Sequence, residues 1–204
     1  MTPRVFSKGN KVIPTKELLQ GLESHAIEIR RKAGVDLIST FDVFNLTKAL
    51  NIVITFPQNV QGMTPENIAE VSSMSASIWS GMANKLPDDK LLIILNPNQT
   101  RERMHVTVLE DVAHNYYGHI PSKIHTESNG LQKREYEEHK EIEAYWTAAS
   151  VLLPSKIIGH SVWNNQTVEE VSKKYGASQE LVEMRIKLLG LWSEYCGRSR
   201  KSAA

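Results

Sequence analysis

The sequence contains a single cysteine, Cys196, so no internal disulfide can form. Few cysteines are typical of proteins kept in a reducing compartment. No apolar run reaches the roughly 18 residues that a membrane-spanning helix needs. The N-terminal stretch MTPRVFSKGNKVIP also lacks the apolar core of a secretory signal. From these absences we expect a cytoplasmic protein without membrane contact.

Neither sign of charge dominates, because 24 Lys and Arg stand against 23 Asp and Glu, for a formal net charge of +1. This balance argues neither for nor against a nucleic-acid partner. Of the 204 residues, 41% are hydrophobic, which is ordinary for a soluble protein and sufficient for a buried core. The chain shows no internal repeat and no low-complexity tract.

Hydrophobic periodicity predicts an α+β fold in which a small sheet packs on helices. Thr15 is placed to cap the first helix and Gly34 to end it, while Thr167 and Glu170 have the spacing of a capping box. The basic ending RSRKSAA is expected to be disordered. The predicted helices cover residues 16–33, 42–50, 101–119, 131–153, 167–175 and 178–189, and the predicted strands cover 52–56, 76–80 and 91–95.

The helix predicted over residues 101–119, RERMHVTVLEDVAHNYYGH, combines an apolar stripe with polar groups suited to a metal. Glu110 and His114 are four residues apart and therefore share one helix face, and Asp111 lies beside them. An acidic helix follows. Carboxylates and an imidazole aimed at one point are a metal-site hypothesis, whereas a plain ion pair between Glu110 and His114 is the alternative.

Three stretches resemble the ImmA/IrrE family of zinc metallopeptidases, over roughly residues 40–190. VTVLEDVAHNYYGH is similar, without a gap, to that family's active helix, which has a pattern like RFTLAHELGHLLLGH. VSKKYGASQELVEMRIKLLG resembles the family's usual C-terminal helix, turn and helix. The family's downstream E-x-E-A-x-x-F-A-x-x-L-L-M-P motif is matched in register at Glu141, Glu143, Ala144, Ala148, Leu152 and Pro154.

The resemblance implies a zincin-like fold, in which a small mixed sheet packs on a metal-site helix pair and C-terminal helices follow. It puts Glu110, His114 and Glu143 at the metal-ligand positions and Asp111 at the position of the general base. Glu141 is the fallback ligand. The implied domains are an N-terminal helical segment (1–40), a metallopeptidase-like domain (41–165) and helix-turn-helix-like helices with a basic tail (166–204).

The sequence departs from the family at the two most important positions. The H-E-x-x-H motif is here Glu-Asp-Val-Ala-His, so Glu110 replaces a histidine ligand and Asp111 replaces the catalytic glutamate. A harder, more anionic ligand set shifts the implied cofactor from Zn²⁺ toward Mn²⁺, or leaves no metal at all. The shorter Asp111 places its carboxylate about one C–C bond, ~1.5 Å, farther from its target. We therefore expect a weak peptidase or an inactive relative.

Three functions follow from these observations. The resemblance implies regulatory cleavage of a helix-turn-helix repressor, in stress response or mobile-element control. The first alternative is an inactive relative that binds such a regulator. The second is a DNA-binding regulator using residues 167–190, with Gln179, Arg185 and Lys187 as phosphate or base contacts. We favour a packing role for those helices over DNA contact.

Other polar side chains near the motif receive lesser roles. His119 matches a Gly-His that follows the family's metal motif, and the resemblance implies that it is structural or supports a metal ligand, rather than being a ligand itself. His139 is four residues before Glu143 and could approach the site. Tyr116 and Tyr117 could hydrogen-bond a substrate or simply pack.

Overall fold

A computed structural model of the protein describes residues 13–47, 49–75, 78–119, 124–126, 132–134 and 137–202. Within these residues, eight α-helices, five strands and two 3₁₀ helices follow one another. In chain order they are α1 (Lys16–Lys32), a 3₁₀ helix (Val43–Thr47), β1 (Ile52–Thr55), a 3₁₀ helix (Pro57–Asn59), α2 (Pro65–Ser73), β2 (Gly81–Lys85), β3 (Leu91–Leu95), α3 (Arg101–Tyr116), β4 (Ile124–Thr126), β5 (Gln132–Arg134), α4 (Glu138–Leu152), α5 (Ser155–Trp163), α6 (Val168–Tyr175), α7 (Gln179–Leu188) and α8 (Trp192–Ser202).

The main sheet has the order β1-β3-β2, with β1 parallel and β2 antiparallel to the central strand. Ile93 of β3 pairs with Ile54 on one side and Ala83 on the other. The apolar run Leu91–Leu95 is buried in this central position, as the sequence predicted. The helices and the small mixed sheet confirm the α+β fold class.

The core joins this sheet to α1, α3 and α4. Val108, Leu109, Trp146 and Ala148 from the two later helices are almost inaccessible to solvent. Because α3 presents these residues to α4 over most of its length, its remaining inward positions, including the motif residues, are also buried. The packing thus places the candidate site between α3 and α4.

Two buried arginines connect distant parts of the chain. Arg30 of α1 donates to the backbone carbonyls of Ser39 and Val151, each at 2.7 Å. Arg185 of α7 forms an ion pair with Glu23 of α1 and is fully buried. This ion pair crosses both predicted domain boundaries, and the division at residues 40 and 165 stays a prediction.

The predicted strand at 76–80 is wrong over residues 78–80, and residues 76 and 77 lie outside the described part. The strand begins instead at Gly81, within GMANK, a stretch that lacks β-branched residues. A Cβ atom at Gly81 would lie 2.9 Å from Cγ2 of Thr107 and 3.2 Å from the carbonyl of Ile94. Glycine therefore lets β2 approach α3, which hydrophobic periodicity does not reveal.

Several predicted element bounds also need correction. The helix expected over 131–153 begins at Glu138, and Gln132–Arg134 is a strand paired with Ile124–Thr126. The helix expected over 42–50 is a short 3₁₀ helix, and α8 runs to Ser202 through most of the tail expected to be disordered. Residues 120–123, 127–131 and 135–136 lie outside the described part of the chain.

The helix-capping predictions are confirmed. Thr15 accepts a hydrogen bond from the amide of Leu18 at 3.3 Å, and Gly34 adopts φ +68° after α1. Thr167 and Glu170 form the reciprocal capping box at the start of α6. In the described part of the chain, the helices are all too short or too polar to cross a membrane.

Candidate metal-site region between α3 and α4

The motif residues on α3 lie deep in the protein. Thr100 caps this helix, its hydroxyl accepting from the amide of Arg103 at 3.4 Å. Nearly three turns along the helix, Glu110 and Asp111 are 2% and 1% exposed, although carboxylates are rarely buried to this extent. These two side chains therefore belong to the interior, where each ion needs support from neighbouring groups.

The end of α3 brings a second histidine back to the first. Gly118 adopts φ +66°, a left-handed conformation that glycine favours. The amide of His119 then donates to the carbonyl of His114 at 2.9 Å, and the amide of Gly118 donates to that of Asn115 at 3.1 Å. These two bonds form a Schellman motif, which reverses the chain and places the two imidazoles side by side.

The two histidines and two glutamates of α4 form a continuous chain of contacts. His114 Nδ1 and His119 Nδ1 are 2.9 Å apart, so one N–H donates a hydrogen bond and the other nitrogen accepts it. His114 Nε2 lies 3.5 Å from a carboxylate oxygen of Glu141, and His119 Nε2 lies 3.4 Å from one of Glu143. The order is thus carboxylate, imidazole, imidazole, carboxylate.

Burial lowers the pKa of His119, and the neighbouring His114 lowers it further, while the carboxylate of Glu143 acts in the opposite direction. The side chain of His119 is 8% exposed, that of Glu143 is 35% exposed, and Glu143 therefore forms the solvent end of the contact chain. The neutral form of His119 is therefore favoured in this partly desolvated site.

Two tyrosines surround the histidine pair. The ring of Tyr117 stacks on His119 with centroids 5.2 Å apart and an interplanar angle of 19°. Its hydroxyl lies 2.8 Å from both His25 Nδ1 and Thr147 Oγ1. These contacts fix the position of the His119 ring, so the role of Tyr117 in the structure is packing and hydrogen bonding within the chain.

The neighbouring tyrosine points to α1. Tyr116 donates to a carboxylate oxygen of Glu28 at 2.6 Å, and this hydrogen bond raises the pKa of Tyr116 to about 12. Tyr116 and Tyr117 therefore attach the end of α3 to its neighbours on both sides.

Glu110 lies toward a different part of α4. Burial raises the pKa of the Tyr145 phenol, and the negative charge of Glu110 raises it further. Tyr145 is one turn beyond Glu141 on α4, so Glu110 and His114 face successive turns of that helix. The structure brings His114 to Glu141, the fallback residue, and brings Glu143 to His119.

Among the residues that the structure describes, no three His, Cys, Asp or Glu side chains are grouped closely enough to hold a metal ion. The ligand roles of Glu110, His114 and Glu143, and the base role of Asp111, stay predictions. Sequence reasoning gave His119 a structural role or a supporting role behind the metal ligands, without naming its partner. The contact of His119 with His114 depends on the turn at Gly118. A glycine just after a helix is the sequence signal that could have predicted this turn.

The C-terminal helices α6 and α7 contact α3. His105 Nδ1 lies 2.9 Å from the carbonyl of Gly176, which joins α6 to α7 with φ +62°. Arg185, a predicted DNA contact, is buried, and Lys187 pairs with Glu183 at 3.1 Å. Since Arg185 cannot reach a phosphate from the interior, the packing role is the better interpretation of α6 and α7.

The comparison with protein-family models agrees with the resemblance. The family model of the IrrE N-terminal-like domain, peptidase M78, matches residues 69–187, which include both helices of the site and most of the C-terminal pair. A solved Mycobacterium tuberculosis transcriptional regulator is similar at 13% identity and a TM-score of 0.45, over 85% of this chain and 47% of that one. The chain thus spans about half the length of that regulator. No curated protein matches the sequence.

Proposed function

Since the chain belongs to the family of IrrE N-terminal-like domains, we propose that it uses a peptidase fold to bind a protein regulator of transcription and cleaves it weakly or not at all. The resemblance to the ImmA/IrrE proteins supports a helix-turn-helix repressor as the partner. The altered motif at Glu110 and Asp111 supports the loss of efficient cleavage. A metal would supply an acidified water and a polarised carbonyl in this family's chemistry.

The positions of the carboxylates around His114 carry this proposal. One of its ring nitrogens is hydrogen-bonded to His119, and the other, Nε2, is buried 3.5 Å from Glu141 without a hydrogen-bond partner among the described residues. Glu110, at the position of the missing histidine, is buried, and Glu143 lies at His119 rather than at Nε2 of His114. The residues in this arrangement do not fit a three-ligand metal centre with room for water, and we derive no catalytic step through a metal.

One observation favours a second candidate, a metal-dependent endopeptidase. Two imidazoles and two carboxylates gather at the end of α3. Glu143 would have to move from His119 to Nε2 of His114 before Glu110, His114 and Glu143 could share Zn²⁺ or Mn²⁺, with Asp111 as base. This candidate therefore requires a rearrangement that the first does not.

Metal analysis of the purified protein separates the two candidates. The protein is incubated with Zn²⁺ or Mn²⁺ and desalted, and bound metal per chain is measured for the wild type, His114→Ala and His160→Ala, whose histidine is exposed on α5. We expect clearly substoichiometric metal that is the same in all three. One tightly held ion per chain, lost in His114→Ala and kept in His160→Ala, would favour the endopeptidase.

Binding of the regulator is tested directly. A helix-turn-helix regulator encoded beside this protein is titrated into it by calorimetry, with and without a metal chelator, and the mixture is then analysed by mass spectrometry. The proposal predicts saturable binding that the chelator leaves unchanged, with the regulator remaining intact. Absence of binding to any neighbouring regulator, or rapid cleavage that the chelator stops, contradicts it.

A further inference from the structure

An apolar cavity of about 350 Å³ lies between α2, the 3₁₀ helix Pro57–Asn59 and the main sheet. Met82 and Ile94, which are cross-strand partners on β2 and β3, form its floor. Met63, Met74 and Trp79 contribute to the walls. Cavities of about 300–1,000 Å³ lined mainly by apolar side chains are typical small-molecule sites. None of the residues lining this one belongs to α3 or α4, so it is separate from the histidine pair.

The cavity exists because polar contacts hold α2 in place. None of the residues of α2, all of which are described, is buried, so apolar packing does not fix this helix on the sheet. Instead, the Trp79 indole donates to the carbonyl of Val71 at 3.0 Å. The side-chain amides of Asn96 and Asn98 donate to the carbonyl of Met74 at 3.2 and 2.9 Å. These bonds anchor the end of α2 above the sheet and leave space beneath it.

The lining combines adaptable apolar groups with one polar side. Methionine side chains are flexible and polarisable, and they adjust to the shape of a bound molecule. Asn67 and Glu70 are three residues apart on α2, share one face, and both line the cavity. They offer an amide and a carboxylate oxygen, which accepts hydrogen bonds from an N–H or O–H group.

We infer that this cavity binds a small molecule with an apolar, aromatic or aliphatic body and one N–H or O–H donor, which Glu70 accepts. The apolar body lies among the methionines and against Trp79. A carboxylate or phosphate on the ligand is disfavoured, because it would lie close to the negative charge of Glu70. This site is independent of the proposed binding of a regulator.

The methionines provide an internal test. The protein contains six, of which Met63, Met74 and Met82 line the cavity, and Met104 and Met184 lie elsewhere. The full chain is labelled with ¹³C at the methionine methyl groups and titrated with N-phenyl-1-naphthylamine, a neutral apolar probe with one N–H. We expect saturable shifts of the three cavity methyls, while the signals of Met104 and Met184 stay in place.

Two variants and a matched control locate the site. Met63→Trp fills the cavity and should weaken binding of the probe by about tenfold or more. Glu70→Leu removes both acceptor oxygens without adding bulk and should also weaken it, and this variant keeps the test decisive if Met63→Trp fails to fold. Ile38→Trp adds the same side chain at an exposed position and should leave binding unchanged.

Three results would overturn the inference. One is the absence of saturable shifts up to the solubility limit of the probe. Another is an equal response of all the methionine methyls, which would indicate non-specific adsorption. The third is a shift of the cavity methyls with protein concentration alone, because a second copy of the chain would then occupy the cavity.

Discussion

Replacing Arg185 with methionine should destabilise the protein strongly, although this residue belongs to α7 and not to the α3 motif. Its guanidinium is fully buried, pairs with Glu23 and donates through Nε to the carbonyl of Leu153 at 3.0 Å. Arg185→Met fills similar space but removes both interactions. Glu23 would keep only its hydrogen bond from the amide of Ser155, at 3.1 Å, and its charge would lose the compensating cation.

The expected loss of unfolding free energy follows from the Glu23 carboxylate, which would stay buried without its cation. Removing one partner of a buried ion pair costs about 3–5 kcal/mol, and we expect the lower end, about 3 kcal/mol, because Glu23 retains a hydrogen bond. Glu23→Gln in the Arg185→Met background removes the uncompensated charge while keeping an oxygen for Ser155. The double variant should therefore recover about 1–3 kcal/mol relative to the sum of the two single changes.

Urea unfolding of the four proteins in this cycle measures the effect. Lys187→Met, two residues away and exposed, removes a surface ion pair with Glu183 and a cation–π contact with Trp192, and should cost about 1–2 kcal/mol at most. A loss below about 1 kcal/mol for Arg185→Met, or additive single and double variants, would refute the reasoning that this ion pair fastens α7 to α1.

Two further predictions concern the contact between α3 and the C-terminal helices. Gly176→Ala should destabilise the folded protein by more than about 1–2 kcal/mol, because φ is +62° and a Cβ atom would lie 2.7 Å from Cε1 of His105. In the control variant, Gly159→Ala in α5, the added Cβ meets no atom within 4 Å, so this change should be neutral or stabilising in thermal unfolding. Burial lowers the pKa of His105, so the unfolded chain takes up a proton at higher pH than the folded protein, and stability should fall as the pH drops below about 6.5. His105→Gln keeps a donor toward Gly176 but cannot titrate, so the dependence of unfolding free energy on pH should become shallower; an unchanged slope would contradict this assignment.

The sequence predicted most of the fold where local signals are strong. Thr15, Gly34 and Thr167 mark helix ends through capping chemistry, which depends only on neighbouring residues. The strand at Leu91–Leu95 was recognisable because a short apolar run in the centre of a sheet is buried on both faces. Gly81 was missed as the start of β2, since its role is a close approach to Thr107, a residue distant in sequence.

The candidate site was less predictable than the fold. The resemblance assigned positions to Glu110, His114 and Glu143, but it does not specify how α4 is rotated against α3. Glu141 and Glu143 differ by about 200° around their helix, so the rotation of α4 against α3 decides which of them meets His114. His119 reaches His114 through the turn at Gly118. The sequence analysis did not predict this contact between the two histidines.

The central claim is that the peptidase fold is kept while the altered motif no longer supports efficient cleavage. The most direct test compares the wild type with the double variant Glu110→His and Asp111→Glu in the presence of Zn²⁺. Gel electrophoresis monitors the cleavage of the bound regulator over time. The variant supplies a neutral nitrogen ligand and a longer base, and a misplacement of about 1 Å in such a base can cost on the order of a hundredfold in rate. We predict that the folded double variant cleaves the regulator at least about tenfold faster than the wild type, with each single change giving less. Equal, rapid cleavage by the wild type would contradict the claim.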